Sequence, residues 1–450
     1  MTMPGTMWRM GVIGTVLVTG SIVYAFGRIG TMFVRDRQRR TAAISRLRGR
    51  VSRRVFTILG PTFIKIGQVL SSRPDLFSPE YIKQLARLQD RLPPSSWRRI
   101  ARVLEQDLGR PVTDCFAEFD RVPVACGSVA QVHRARTHDG DEVAVKVLRP
   151  GCDRIIRRDW RVMRVFGRLA RLHPKGRLSD PIGHIDALFE EVLAQTDLAQ
   201  EARNCEQFRA NFAAFPDVHF PRPHTRLCGR RVFTMAFVTG HKLEKVPADK
   251  RVEVASLVRN AFFKMCFVDG FLHADLHPGN MLVTAEGELV IFDVGLVKRF
   301  GERFYRQFMD FTHCLTVGEP EDFARHLQTY HRYLGDIDWP ALTEEMGDLM
   351  ARFKTQNAAD LESAELTNAI FGLCRKYGIR PVTEMTVVLV GSLTCEGISK
   401  SLDPDRNPLQ DVTAYILPII ARLNAADAVV SQDADTNDAA QPNGLGPAPS

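Results

Sequence analysis

At 450 residues, with 45% hydrophobic and 25% charged residues, the chain suits one two-lobed globular domain with extensions. Nine scattered cysteines, odd in number and without a C-x-x-C pair, argue against a disulfide framework or a zinc ribbon and fit a reducing compartment. The formal net charge of +8 invites a nucleic-acid partner, but the arginines concentrate beside an apolar run rather than among aromatics on a recognition element, so no nucleic acid is assigned.

The first predicted element is the uncharged run Met10–Phe26, at the short end of the roughly 17–25 residues that a membrane-spanning helix requires. Arg35, Arg37, Arg39, Arg40, Arg46, Arg48, Arg50, Arg53 and Arg54 follow it. The positive-inside rule makes this side cytoplasmic and leaves the N-terminus outside, and a basic juxtamembrane segment suits an anionic membrane surface. A signal peptide ending near Ala25-Phe26-Gly27 and a buried or surface-lying helix satisfy the same composition. The reading adopted is a membrane anchor. Next, Phe63-Ile64-Lys65-Ile66-Gly67-Gln68 reads as an amphipathic helix on which Lys65 and Gln68 are polar positions.

Small residues then cluster at Ala125, Cys126, Gly127, Ser128 and Val129. They allow backbone N–H groups to approach phosphate oxygens, although one glycine is not G-x-G-x-x-G and small residues in a turn are ordinary. His138-Asp139-Gly140-Asp141 is a hairpin turn joining Gln131–Arg136 to Glu142–Leu148. Inside that second strand sits Lys146. A lysine there is unfavourable unless an anion meets it, although an edge-strand lysine that blocks aggregation has the same appearance. Glu201, in a helical stretch from Gln195 to Asn204, is the candidate to pair with Lys146. Helix glutamates are usually solvated, so spacing leaves both readings open, and the long separation implies an inserted helix. The strand Arg231–Val238, carrying Met235 and Phe237, then leads to Thr239-Gly240 and suits an adenine-binding link between lobes.

The segment His273-Ala274-Asp275-Leu276-His277-Pro278-Gly279-Asn280, followed by Ile291-Phe292-Asp293-Val294-Gly295, is the most specific signal. Asp275 and Asn280 have the spacing of the kinase catalytic loop, and Asp293 falls where the D-F-G aspartate does. One carboxylate orients or deprotonates the nucleophile, while Asn280 and Asp293 hold the magnesium that bridges the phosphates. His273 and His277, at i and i+4, would suit zinc on a helix, but Pro278-Gly279 makes this a loop. Asp293 alone would also suit a turn. The ordered set with Lys146 is what single alternatives do not explain.

With these residues the chain resembles the UbiB/AarF family of atypical kinases. The likeness rests on Phe63–Leu76, which contains the family's K-x-G-Q signature, on Leu88–Pro94, and on Glu396-Gly397-Ile398-Ser399-Lys400-Ser401-Leu402-Asp403-Pro404, and it covers about Arg54 to Pro408. It implies an α+β, atypical two-lobed protein-kinase-like fold with an N-terminal helical K-x-G-Q extension folded over the site. Lys65 and Gln68 would then point inwards, Lys146 would contact phosphates and pair with Glu201, and Asp275 would be the catalytic carboxylate. The implied cofactors are ATP or ADP with Mg2+. The implied role is phosphoryl transfer or hydrolysis at the membrane in support of ubiquinone biosynthesis or lipid homeostasis. Partners would be a membrane lipid or isoprenoid quinone intermediate and quinone-biosynthesis enzymes. A protein kinase proper and a non-catalytic, nucleotide-gated lipid-binding scaffold are the competing readings.

Three positions depart from the family pattern. Its alanine-rich nucleotide loop is Ala125-Cys126-Gly127-Ser128 here, its E-x-D motif is Gln195-Thr196-Asp197, and its hinge acid is Ala236. The expected organisation is an anchor over 1–34, a basic linker over 35–54 and the K-x-G-Q extension over 55–110. An N-lobe with inserted helices over 111–239, a helical C-lobe over 240–425 and a disordered tail over 426–450 complete it. Phe304, Phe308 and Phe311, at helical spacing, are expected to be core, Val252–Phe267 to be the helix delivering the catalytic loop, and Ala414–Leu423 to be too short to span.

Overall fold

The computed structural model describes residues 3–71, 77–88, 93–171, 181–316, 318–333, 335–355 and 363–404. The signature positions 72–76 and 89–92, the run Ala414–Leu423 and the tail 426–450 lie outside the described residues. The chain divides into two compact units. The first is built within Met1–Ala261, Phe271–Arg299 and Thr383–Asp403, the second within Phe262–Gly270 and Phe300–Val382. The expected C-lobe 240–425 is therefore shared between units, and the 273–280 loop folds with the sheet that carries Lys146.

The first unit opens with four helices: α1 (Met3–Thr31), α2 (Arg37–Leu59), α3 (Pro61–Ser71) and α4 (Pro79–Leu85). Where a basic linker is expected, the structure has the 23-residue α2. Asp36 starts it by accepting the Arg39 N–H at 2.7 Å, the ordinary N-cap bond. Helix α2 runs antiparallel to α1, because a Cβ at Gly20 would lie 2.7 Å from Val55 Cγ2 and one at Gly27 2.8 Å from Leu47 Cδ1. Helix α3 carries the K-x-G-Q residues. A Cβ at Gly67 would lie 2.2 Å from Leu88 Cδ1 and 2.7 Å from Phe56, so this glycine lets α3 pack on α2 and on the small core of Ile64, Tyr81, Leu85 and Leu88.

Helix α5 (Trp97–Leu108) is amphipathic, with Ile100, Val103 and Leu104 on one face and Gly109 ending it in the left-handed conformation. It packs beneath a sheet of β1 (Glu118–Phe119), β2 (Ala125–Cys126), β3 (Ala130–Arg136), β4 (Glu142–Leu148) and β6 (Val232–Ala236). The order is β1-β3-β4-β6, antiparallel throughout, with β2 also pairing with β3. The expected 138–141 turn joins β3 to β4, and Gly140 takes the positive φ of 89° that the turn requires. Strand side chains alternate. Val143, Val145 and Val147 therefore enter the core on α5, and Lys146 projects from the opposite face.

Two long helices stand between β4 and the Glu201 helix: α7 (Cys152–Ala170), which follows the short α6 (Val112–Cys115), and α8 (Pro181–Ala194). The expected insertion is thus a pair. Helix α9 (Leu198–Asn211) follows. Strand β5 (Val218–His219) pairs in parallel with β9 (Leu289–Ile291), which pairs antiparallel with β8 (Met281–Val283). Strand β7 (Phe271–His273) pairs with β10 (Val297–Arg299). These short strands fix the catalytic loop and the Asp293 turn at their ends. The expected 252–267 helix is α10 (Arg251–Phe263), continued by a wider π-helical turn over Lys264–Val268.

The second unit is helical. Helices α11 (Glu302–Thr316), α12 (Pro320–Tyr330), α13 (Trp339–Thr355) and α14 (Ser363–Lys376) are accompanied by a short antiparallel pair, β11 (Arg332–Tyr333) and β12 (Ile379–Arg380). Phe304, Phe308 and Phe311 are buried as expected, with Phe308 stacked on Phe267 and Phe311 against Phe323.

Candidate active site

Lys146 stands at the centre. Its Nζ donates to Glu201 Oε1 and Oε2 at 2.8 and 3.0 Å and to Asp293 Oδ1 at 2.6 Å. Glu201 is buried, whereas the Asp293 side chain is about half exposed, at 49%. Helix α9 presents Glu201 in its first turn after Asp197 caps the helix by accepting the Gln200 N–H at 3.0 Å. One turn further on, Asn204 Nδ2 donates to the Val294 carbonyl at 3.0 Å. A single helix thus supports both the lysine and the Asp293 turn. The sequence offers no sign of the Asn204 role, because an asparagine on a helix is ordinarily solvated and its partner lies 90 residues away.

Burial alone would lower the Lys146 amine, but the Asp293 and Glu201 carboxylates outweigh it and hold the pKa above the usual range. For Asp293, burial pushes upwards, and the charges of Lys146 and then Lys65 overcome it, holding the carboxyl well below the usual carboxylate range. Burial pushes Glu201 up against the pull of Lys146, to about 7. The half-exposed Asp293 is therefore firmly ionised, and Lys65 of the K-x-G-Q helix is close enough to add to that effect. Asp293 has φ of 60°, in the left-handed region that aspartate tolerates better than most residues.

The 273–280 loop, the candidate catalytic loop, is fixed by its own hydrogen bonds. Asn280 is buried, and its Nδ2 donates to the Asp275 carbonyl at 3.1 Å. The Asp275 N–H donates to His273 Nδ1 at 3.2 Å, which leaves His273 Nε2–H to donate to the Phe292 carbonyl at 3.3 Å. His273 is fully buried, and burial keeps it neutral by lowering its pKa. It bridges the Asp275 and Asp293 segments at once, a role that its place in a loop did not reveal in the sequence. His277 Nδ1 accepts the Gly279 N–H at 3.0 Å. No group of three or more His, Cys, Asp or Glu able to hold a metal occurs among the described residues. The Asp275 side chain is exposed.

Ala125 and Cys126 form β2, and the Gly127 N–H donates to the Ala130 carbonyl at 2.8 Å, making Gly127-Ser128-Val129 a tight turn. Arg149 Nε donates to the Gly127 carbonyl at 2.8 Å. At the link, Met235 is buried in β6 and the Phe237 N–H is already used by the Glu142 carbonyl at 3.0 Å, so neither simply presents an open edge. A Cβ at Gly240 would lie 2.6 Å from the Val283 carbonyl oxygen, which fixes why the segment after the link needs glycine. Gln68 Oε1 is buried without a hydrogen-bond partner among the described residues. An apolar cavity of about 620 Å³, lined by Leu243, Ile398, Leu402, Arg251 and Pro278, adjoins the catalytic loop.

Comparison with known proteins agrees with this geometry. The family model described as ABC1 atypical kinase-like domain matches residues 87–326. An uncharacterised protein of Synechocystis sp., sll1770, is 30% identical over 373 residues, which is 81% of this chain and 64% of that protein. "Probable protein kinase UbiB" of Pseudomonas fluorescens (strain Pf0-1) is 29% identical over 372 residues, 77% of this chain and 67% of the relative. The chain spans 64%, 56% and 65% of the lengths of three Synechocystis relatives. Among solved structures, the complex of Rv3197 with erythromycin from Mycobacterium tuberculosis superposes with a TM-score of 0.50 at 22% identity, covering 75% of this chain and 91% of that one. That likeness concerns the fold.

Proposed function

Because the chain belongs to the ABC1 atypical kinase-like family, we propose that it binds a magnesium–nucleotide complex in its first unit and transfers or hydrolyses the terminal phosphoryl group. The observation that carries this reading is Lys146 held by Glu201 while Asp293 stands on the same lysine. A phosphoryl-transfer site needs that lysine–glutamate pair and the metal-binding aspartate in place together.

The residues fit a magnesium site of the kinase kind. Asn280 spends its Nδ2 on the Asp275 carbonyl, which leaves its amide oxygen as the end suited to a hard cation, and Asp293 supplies an ionised carboxylate. Magnesium when bound supplies neutralisation of phosphate charge. Lys146 would hold the inner phosphates, and its bond to Asp293 would give way as the phosphates take over the ammonium. Asp275 would orient the attacking oxygen and receive its proton. The turn Gly127–Val129 would cover the phosphates, and the β6 strand, with Met235 and Phe237, would flank the base.

The acceptor we propose is membrane-borne: a lipid or isoprenoid quinone intermediate, with quinone-biosynthesis enzymes as partners. Three observations support it. Helix α1 is long and apolar enough to meet a membrane, the charge of the K-x-G-Q lysine acts on Asp293, and the apolar cavity adjoins Pro278 of the 273–280 loop. The site would face the cytoplasm, where ATP is supplied. A protein acceptor is the second reading, favoured by the name "Probable protein kinase UbiB" that the Pseudomonas fluorescens relatives carry.

The test is phosphate release from Mg·ATP, with and without anionic vesicles carrying an isoprenoid quinone precursor, alongside Asp293→Asn and Asp275→Asn. Turnover that rises with the vesicles and vanishes in both variants is the expected result. Label transferred chiefly to protein would favour the second reading. Equal turnover in all three proteins would reject catalysis at this site.

A further inference from the structure

Helix α1 has two different faces. One is folded against the first unit: Arg9 and Ile13 are buried, Gly20 and Gly27 seat the helix on Val55 and Leu47, and a Cβ at Gly14 would touch Phe166 of α7. Arg9 Nε and Nη2 donate to the two carboxylate oxygens of Asp159 at 2.7 and 2.9 Å, and Nη2 also donates to the Leu59 carbonyl at 2.7 Å. Asp159 is fully buried, with Arg158 a further 3.9 Å away from the same carboxylate.

The other face is apolar and open. Val18, Ile22, Phe26 and Ile29 are each between 51 and 70% exposed, and their spacing of three and four residues aligns them in one stripe. A continuous apolar stripe of this kind marks an interaction surface. Charge identifies what it meets: Met1–Leu59 contains eleven arginines and a single acidic residue, Asp36. Basic residues beside an apolar helical face suit an anionic bilayer surface.

A bilayer-spanning helix with its N-terminus outside would part its ends by about 30 Å of hydrocarbon. Arg9 would then lie across the membrane from Asp159, and the buried carboxylate would lose its guanidinium. Helix α2, lying alongside α1, carries arginines that hydrocarbon would not accept. Resting on the membrane association proposed above, we infer that α1 does not cross the bilayer: it lies in the interface of an anionic membrane, clamped to the first unit by Arg9 and Asp159, with its apolar stripe inserted and its N-terminus on the same side as the Lys146 site.

The experiment uses the full chain with a protease site fused ahead of Met1, bound to closed vesicles of phosphatidylcholine and phosphatidylserine, and follows flotation and cleavage by added protease without detergent. The expected result is co-flotation with the site cut as completely as in detergent. Ile22→Glu with Phe26→Glu should reduce flotation about tenfold while leaving the thermal transition unchanged. Arg9→Leu with Asp159→Leu, which removes both partners of the clamp, should render part of the site protected. Protection of the site on floated wild-type protein would overturn the inference and leave membrane association standing. Failure to float at all would remove membrane association, and the inference with it.

Discussion

A single lysine serves two carboxylates in this protein, and the consequences can be read one residue at a time. Glu201 is buried, with a pKa already raised from 4.5 to about 7 in the presence of Lys146. Removing the ammonium, as in Lys146→Met, leaves the ionised carboxylate uncompensated. A raised carboxyl pKa destabilises the fold as pH climbs above the unfolded value, so the deficit should be small near about pH 5 and grow through about pH 8. There it should approach roughly 3–5 kcal/mol, the cost of breaking a buried pair. Thermal melts across that range check it, and adding Glu201→Gln should recover most of the loss. Asn204→Ala should cost about 1–3 kcal/mol through the Val294 carbonyl left without its donor. It should lower kcat more than KM, because it loosens the turn carrying Asp293 rather than the nucleotide loop; steady-state kinetics decide this. Lys146, Asp275, Asn280 and Asp293 stood out in the sequence because the proposed reaction would dictate their identities and spacing, and the structure brings Lys146 and Asp293 together. Asn204 and His273 were not, since their roles exist only once distant segments meet.

Elements differ in how openly the sequence declares them. The β3–β4 hairpin is visible in its two strand-like runs and its Asp-Gly turn, whereas α5 falls in the 55–110 stretch expected only as a helical extension. The identity of α2 as a helix is hidden, because its arginines look like a tether. Its order comes from the Asp36 cap and from packing on α1, where Val55 and Leu59 are buried. The Arg9–Asp159 pair spans 150 residues and leaves no local trace. Two substitutions probe the packing. Ile100→Ala, in the core beneath the sheet, should cost about 2–5 kcal/mol. Gly67→Ala, whose Cβ would fall 2.2 Å from Leu88, should cost roughly 1–3 kcal/mol by forcing α3 away. Chemical denaturation measures both, and Gly67→Ala should also weaken the effect of Lys65 at the site.

For the whole molecule, pH sets a stability boundary. His133, His224, His273, His326 and His331 are all held neutral by burial, His331 down to about 4. Each folded value lies below the ordinary 6.5, so the unfolded chain takes up protons first. The stability these groups contribute is present above about pH 6.5 and is lost as pH falls through the folded values. His331 alone contributes roughly 3 kcal/mol over that interval. Melting temperatures should therefore fall steadily from about pH 6.5 to about pH 4, with a shallower slope for His331→Asn.

The central claim is that Lys146, Glu201, Asn280 and Asp293 form one magnesium–nucleotide site, and equilibrium binding tests it most directly. ATP should bind the wild-type protein about tenfold or more tightly with magnesium than without, and Asp293→Asn should lose that gain while Lys146→Met loses binding itself. Affinity that is indifferent to magnesium, or unchanged in Asp293→Asn, would contradict the claim.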